Sequence, residues 1–484
     1  MLRKLRMYYR NLHSPVKASL WFLICGFLQK GISMLTTPIF TRVMTEAEYG
    51  RFSVYNSWLG IIQLVVSLNL AAGVYTRGLV KYEEDQDRFS SSMLGLSTTC
   101  IFIWSILYAM FHNTVNRLLD LNTVLMCAML LEIWAHAAYQ FWSNRERVNY
   151  RYKKLVVLTI AYVILRPLLG VVCVLQVEEQ YQVEARVLTT LLVNMVLFTG
   201  LYIVITKKGK LFFHKEYWLY ALKFNIPLLP HYLSQVVLNQ SDRLMINHIC
   251  GPTQTAYYTV AYTIAVVLQI LNNSVSATMN PWIYKAIKKN EVKKIGKASY
   301  GILGMIAILN LAVILVAPEL LGILAPESYM AAVWVVPPVT VSVYFSFLYN
   351  LFATFEYYYE KTHYVTAATI IGAVLNIVLN AIFIPKFGFV AAGYTTLVCY
   401  ILYAFAHYYF MRKVTKAELA NEKIYDARII IALGAALLLG AAAIMLFYNM
   451  PAVRYGLLII LAMILIWKRK VLFSMLRMIK NKHE

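Results

Sequence analysis

The chain has 484 residues, 60% of them hydrophobic and only 14% charged, with a formal net charge of +22 and a mean hydropathy of +0.60. A soluble protein carries about 25% charged residues, so a soluble globular fold is excluded. The positive charge sits in short loops between apolar runs of about 20 residues, the loop bias of a polytopic membrane protein and not a nucleic-acid surface.

In chain order, fourteen apolar runs are long enough to cross a ~30 Å hydrocarbon core as helices. They fall at 18–40, 54–75, 91–112, 121–142, 155–175, 183–205, 223–245, 254–281, 299–318, 332–353, 364–384, 390–411, 428–448 and 453–468. The first follows a basic segment (Arg3, Lys4, Arg6, Arg10, Lys17) without a small-residue cleavage site, so it reads as a retained helix. Alternate loops collect Arg145, Arg147, Arg151, Lys153 and Lys154, then Lys207, Lys208, Lys210 and Lys215, then Lys285, Lys288, Lys289, Lys293, Lys294 and Lys297. The C-terminal tail adds Lys468, Arg469, Lys470, Arg477, Lys480 and Lys482. That bias predicts both termini in the cytoplasm and an even number of spans. Arg42, Arg51, Arg117, Arg186, Lys386 and Arg454 fall on the outer side, which leaves Lys30, Arg166 and Arg243 inside the bilayer. Cys25, Cys100, Cys127, Cys173, Cys250 and Cys399 stand singly, without metal or redox spacing, and read as small apolar residues.

A weak internal repeat is visible. Tyr49-Gly-Arg-Phe-Ser-Val54 overlays Thr255-Ala-Tyr-Tyr-Thr-Val260, and the same shift places Gln63 on Gln269, Ala71 on Ala277 and Lys17 on Lys223. The intervening six crossings are an even number, so the copies run in the same direction, a parallel repeat about the membrane normal. The predicted architecture is all-α. It comprises an N-terminal lobe of spans 1–6 (1–210), a C-terminal lobe of spans 7–12 (211–415), and spans 13–14 with a basic tail (416–484).

Polar residues within the bilayer mark protein-facing or water-facing surfaces. Span 1 aligns Gly26, Lys30, Ser33 and Thr37; span 2 aligns Asn56, Gly60, Gln63 and Ser67. Span 7 carries His231, Gln235, Asn239 and Asp242 with Arg243 beside them, and span 8 carries Gln269, Asn272 or Asn273, Ser276 and Asn280. Any one of these suits interhelical hydrogen bonding. Matched stripes on equivalent helices of both lobes suit a hydrated cavity on the pseudo-twofold axis. A lysine or arginine at a helix centre costs ~2.5–3.5 kcal/mol on insertion scales. Lys30 has no acid at i±3 or i±4, so an anionic substrate is its simplest partner, whereas Asp242 can neutralise part of Arg243. In span 4, Glu132, His136 and Gln140 recur every four residues. They suit either a proton or sodium site or, the preferred reading, an ion pair of Glu132 with Arg166.

KASLWFLICGFLQKGISMLTTPIFTRVMTEAEYGRFSVYNSW at the start and IPLLPHYLSQVVLNQSDRLMINHICGPTQTAYYTVAY at mid-chain resemble the oligosaccharide flippases of bacterial polysaccharide biosynthesis. These lie within the multidrug, oligosaccharidyl-lipid and polysaccharide exporter superfamily, which includes MATE transporters. The resemblance implies two six-helix bundles working by alternating access in the bacterial inner membrane. The substrate it implies is an undecaprenyl-diphosphate-linked oligosaccharide turned to the outer leaflet for capsule, lipopolysaccharide or exopolysaccharide. It further implies a monomer working beside a polysaccharide polymerase and chain-length machinery. Lys30, Arg243 and Arg166 are then expected to neutralise the diphosphate. Driving force is expected from the membrane potential alone or from Na⁺ or H⁺ antiport. No nucleophile, paired carboxylate or nucleotide loop points to catalysis. A multidrug antiporter of the same fold, and a membrane polymerase or glycosyltransferase, are the alternatives.

Overall fold

The computed structural model describes residues 14–419 and 422–467, all as helices, turns and connecting segments. The basic residues expected at Arg3–Arg10 and Lys468–Lys482 lie outside the described residues. The first helices are α1 (Ser14–Val43), α2 (Glu46–Ser67), α3 (Gly73–Lys81), α4 (Gln86–Leu119), α5 (Thr123–Val148), α6 (Tyr152–Val174), α7 (Gln182–Gly209) and α8 (Lys215–Asn225). Then come α9 (Leu229–Cys250), α10 (Pro252–Lys288), α11 (Val292–Leu315), α12 (Ala317–Leu324), α13 (Val336–Tyr358), α14 (Thr362–Phe387), α15 (Val390–Glu418), α16 (Ala427–Leu446) and α17 (Pro451–Trp467). The chain forms two compact units, 1–240 and 241–484. The boundary between them falls within α9.

Among the described residues, eleven helices are long and apolar enough to cross a membrane. Three expected crossings fall short of that measure, and each has a physical reason. α2 and α9 are diluted by the polar residues that make up their stripes, and α17 has only 17 residues. The second expected span is also displaced. Thr45 caps α2 by accepting from the Glu48 backbone N–H, so the helix starts eight residues before the hydropathy run. It stops at Ser67, where Leu68 and Asn69 take left-handed φ of 49° and 52°.

In the first unit, α7 is the shared neighbour: α4, α5 and α6 pack on it, while α1 packs on α6. The α1–α2 turn is tied to the start of α7. Thr45 N–H donates to Gln182 Oε1 (2.9 Å), and Gln182 Nε2 donates to the Val43 carbonyl (3.2 Å). Close approach at the other end of α7 requires Gly209, since a Cβ there would run into the Asp87 backbone. In the second unit, α13 and α14 pack on α15, α10 packs on α13, and α16 packs on α11.

A charged tie fastens α17 to α12. Arg454, only 3% exposed, donates to the Leu315 carbonyl and to Glu319 Oε2, both at 2.8 Å, and Tyr455 donates to Glu319 Oε1 at 2.8 Å. The Arg454 hydrogen bond, helped by Tyr455, holds the Glu319 carboxyl below its ordinary value. A depressed carboxyl stabilises the fold above its unfolded value of about 4.3 and loses that contribution as pH falls through the folded one. Amide exchange at the start of α17 is therefore expected to accelerate only on acidification below about pH 4. Exchange that stays unchanged well below about pH 4 would show that the tie is not holding the helix.

Candidate functional site: a basic cavity in the first unit

Five helices of the first unit turn one face each toward a cavity of about 530 Å³. The α1 face carries Gln29, Ser33, Thr36 and Phe40, and the α2 face Phe52, Asn56 and Gln63. α5 supplies Glu132 and His136, α6 supplies Tyr162 and Arg166, and α7 supplies Arg186 and Thr190. The three- and four-residue spacings within each set are those of one side of a helix, so five polar stripes converge on one space.

One wall is a hydrogen-bonded network built around Asn194, a fully buried residue of α7. Arg166 Nε donates to Asn194 Oδ1 at 2.8 Å, and a second guanidinium nitrogen reaches the same oxygen. Asn194 Nδ2 donates to Glu132 Oε1 (3.2 Å), and Tyr55 donates to Glu132 Oε2 (3.1 Å). The expected direct ion pair of Glu132 and Arg166 is thus replaced by a bridge through one carboxamide. The two charges still compensate each other, and both carboxylate oxygens are occupied, as a buried charge requires. The Tyr162 ring backs Arg166, whose Cζ lies 4.6 Å from its centroid. His136 Nδ1 lies 3.4 Å from Gln63 Nε2, and Gln29 Nε2 donates to the Tyr139 hydroxyl (2.9 Å).

Two turns from Asn194 on the same helix stands Arg186, which the sequence places among the outward-facing basic residues. It lies one helical turn beyond Gln182, and the Gln182 tie to Val43 and Thr45 delivers it between two rings. Its Cζ is 3.5 Å from the Phe40 centroid and 3.6 Å from that of Phe52. Its one hydrogen-bond contact is with Met44 Sδ at 3.5 Å. Among the described residues no carboxylate pairs with it. Stacking on aromatic faces suits a guanidinium but does not use its in-plane N–H donors, of which only the one toward Met44 Sδ has a partner among the described residues. Arg186 is therefore the uncompensated charge of the cavity.

The other expected site residues are distributed as follows. Ser33, Asn56, Gln63, Glu132, His136 and Arg166 line the cavity. Thr37 is buried beside it, donating to the Ser33 carbonyl at 2.7 Å. Lys30 does not line it. It is exposed on α1, on the arc that carries exposed Leu23 and Phe27. His231, Gln235 and Asn239 lie in the part of α9 that belongs to the first unit, and Asp242, Arg243, Gln269 and Asn273 lie in the second. Asp242 is 2% exposed and accepts from Tyr258 (2.5 Å), Thr396 (2.7 Å) and Asn380 Nδ2 (2.7 Å). Arg243 lies over the Tyr262 ring, 4.5 Å from its centroid. Gln269 is half-buried and Asn273 exposed, whereas Asn272 is buried and donates to the Val343 carbonyl at 2.9 Å. Gln29, Thr36, Arg186, Thr190 and Asn194 were not anticipated as site residues.

Residues 16–287, more than half of the chain, match the family model described as polysaccharide biosynthesis protein, and residues 227–382 match the MatE model. Lsg locus protein 1 of Haemophilus influenzae is 21% identical over 385 residues, covering 75% of this chain and 89% of that protein. The inward closed structure of the lipid II flippase MurJ superposes with a TM-score of 0.69 at 13% identity, covering 94% of this chain and all of that one. An inward-facing multidrug resistance MATE transporter of the MOP superfamily gives 0.62 at 14% identity, covering 80% and 95% of the two chains. The fold is that of the MOP-superfamily transporters, in a multi-pass membrane protein. By the extent of its family match, the chain belongs to the polysaccharide biosynthesis protein family.

Proposed function

We propose that this protein is a flippase that carries an undecaprenyl-diphosphate-linked oligosaccharide from the cytoplasmic to the outer leaflet of the inner membrane. The observation that carries the proposal is a cavity of about 530 Å³ with a polar, net basic lining, set within the fold of a transporter superfamily. The fourteen crossings, the parallel bundles and the cytoplasmic termini belong to the same reading. So do a monomeric state and collaboration with a polymerase and chain-length machinery. Lys30, exposed on α1 outside this cavity, and Arg243, in the second unit, keep the diphosphate role that the resemblance implies for them. Arg166 is already matched to Glu132 through Asn194, so it contributes less to that charge balance.

The cell interior is negative, so an anionic head group moving outward gains ~2.3 kcal/mol per charge per 100 mV. Potential alone supplies a driving force on that arithmetic. If Na⁺ or H⁺ is coupled instead, the buried carboxylates Glu132 and Asp242 are where it would act, with His136 beside the former. The MatE match favours a second reading, a multidrug antiporter. Its usual cationic substrates are a poor fit to a cavity whose uncompensated residue is an arginine.

Lys30→Ala and Arg243→Ala are each expected to make lipid-linked repeat units accumulate on the inner leaflet of cells that depend on this protein. Normal surface polysaccharide with no accumulation in either variant would remove the diphosphate assignment.

A further inference from the structure

The cavity of the first unit carries a charge imbalance that flipping a lipid diphosphate does not by itself require. Arg166 has Glu132 as its counter-charge through Asn194, whereas Arg186 has none among the described residues. One uncompensated guanidinium calls for one anionic group. Its two faces are covered by Phe40 and Phe52, so a ligand can approach only at the N–H edge. That edge presents a fork matched to a carboxylate or a phosphate oxygen pair. The remaining wall groups, Ser33, Asn56 and Gln63, offer the neutral donors and acceptors that hydroxyls need. A volume of about 530 Å³ lies in the range of small-molecule sites, with room for about one or two sugar rings and none for a polyprenyl tail.

Resting on the flippase reading, we infer that this cavity is a subsite for an acidic sugar of the exported oligosaccharide, its single carboxylate held by the Arg186 fork. The substrate carries two kinds of anion, the sugar carboxylate and the diphosphate. One charge on Arg186 matches a carboxylate, whereas a diphosphate brings at least two. The Gln182 tie between α7 and the α1–α2 turn holds the fork in place, so recognition is pre-organised and not assembled on binding.

The test uses the full-length chain in phospholipid nanodiscs, titrated with glucuronate, glucose and inorganic pyrophosphate. Saturable glucuronate binding at least about tenfold tighter than glucose is expected, as for a charge-assisted bidentate pair. Arg186→Gln is expected to abolish that preference. Arg186→Lys, which keeps the charge but not the fork, should retain only part of it, and it serves as the folding-safe variant. Equal binding of glucuronate and glucose, or a preference untouched by both variants, would overturn the inference. Pyrophosphate that displaces glucuronate with the same dependence on Arg186 would overturn it too, in favour of a head-group site. Lipid-linked units accumulating in Lys30→Ala cells while glucuronate shows no preference would sink the subsite and leave the flippase reading standing. Absence of accumulation in cells depleted of the whole protein would sink the flippase reading whatever the titration gives.

Discussion

Glu132→Ala is expected to be among the most damaging single substitutions in the first unit, costing about 3–5 kcal/mol of stability. The residue is 8% exposed and accepts from Tyr55 and Asn194, and through Asn194 it balances Arg166. Truncation leaves a half-buried guanidinium without a counter-charge and two donors without acceptors. Cavity water can solvate part of the exposed arginine, which favours the lower end of that range. The pair gives a sharper signature than either residue alone. Arg166→Ala combined with Glu132→Ala should be less harmful than the sum of the single changes, with a coupling of about 1–3 kcal/mol in thermal unfolding of detergent-solubilised protein. Strict additivity would mean that the bridge transmits no compensation.

Asp242→Ala should cost about 3 kcal/mol or more in the second unit, because three buried donors lose their acceptor together. Tyr258 of α10, Asn380 of α14 and Thr396 of α15 all point at this carboxylate, so it joins three helices to α9. Asp242→Asn should be milder, about 1 kcal/mol, since the amide oxygen still accepts and the Tyr258 and Thr396 hydroxyls can turn to meet the new N–H₂. Equal losses from the two substitutions would show that charge, and not acceptor count, is what the cluster requires. Unfolding midpoints of the two variants in one detergent decide between these outcomes.

The fold class was readable because hydrophobic runs of span length rarely arise in a soluble core. What escaped reading is local. The start of α2 is encoded by Thr45 and Glu48, a capping pair that a hydropathy window passes over because both residues are polar. The role of Asn194 could not be seen from its type, since a single asparagine in an apolar helix is as consistent with packing as with a site. Arg186 was missed for a different reason. It lies near the end of an apolar run, where a basic residue normally marks a loop, and only the tie from Gln182 to the neighbouring turn makes it part of the wall. The recurrence of polar residues at Gln182, Arg186, Thr190 and Asn194 along one face of α7 was a usable signal, the same kind that singled out spans 1, 2, 7 and 8. For Lys30 the sequence revealed the charge but not its direction. The exposed arc it shares with Leu23 and Phe27 became visible only with coordinates.

The most direct test is leaflet transfer by the purified full-length protein in sealed liposomes. These would contain labelled undecaprenyl-diphosphate-linked oligosaccharide and an imposed membrane potential. If the protein is a flippase, labelled sugar should become accessible to a membrane-impermeant reagent on the far side, faster with an outside-positive potential and not in protein-free vesicles. Labelled sugar that stays on its original leaflet, in vesicles where the same protein expels a cationic drug, would contradict the assignment and make the chain a multidrug exporter.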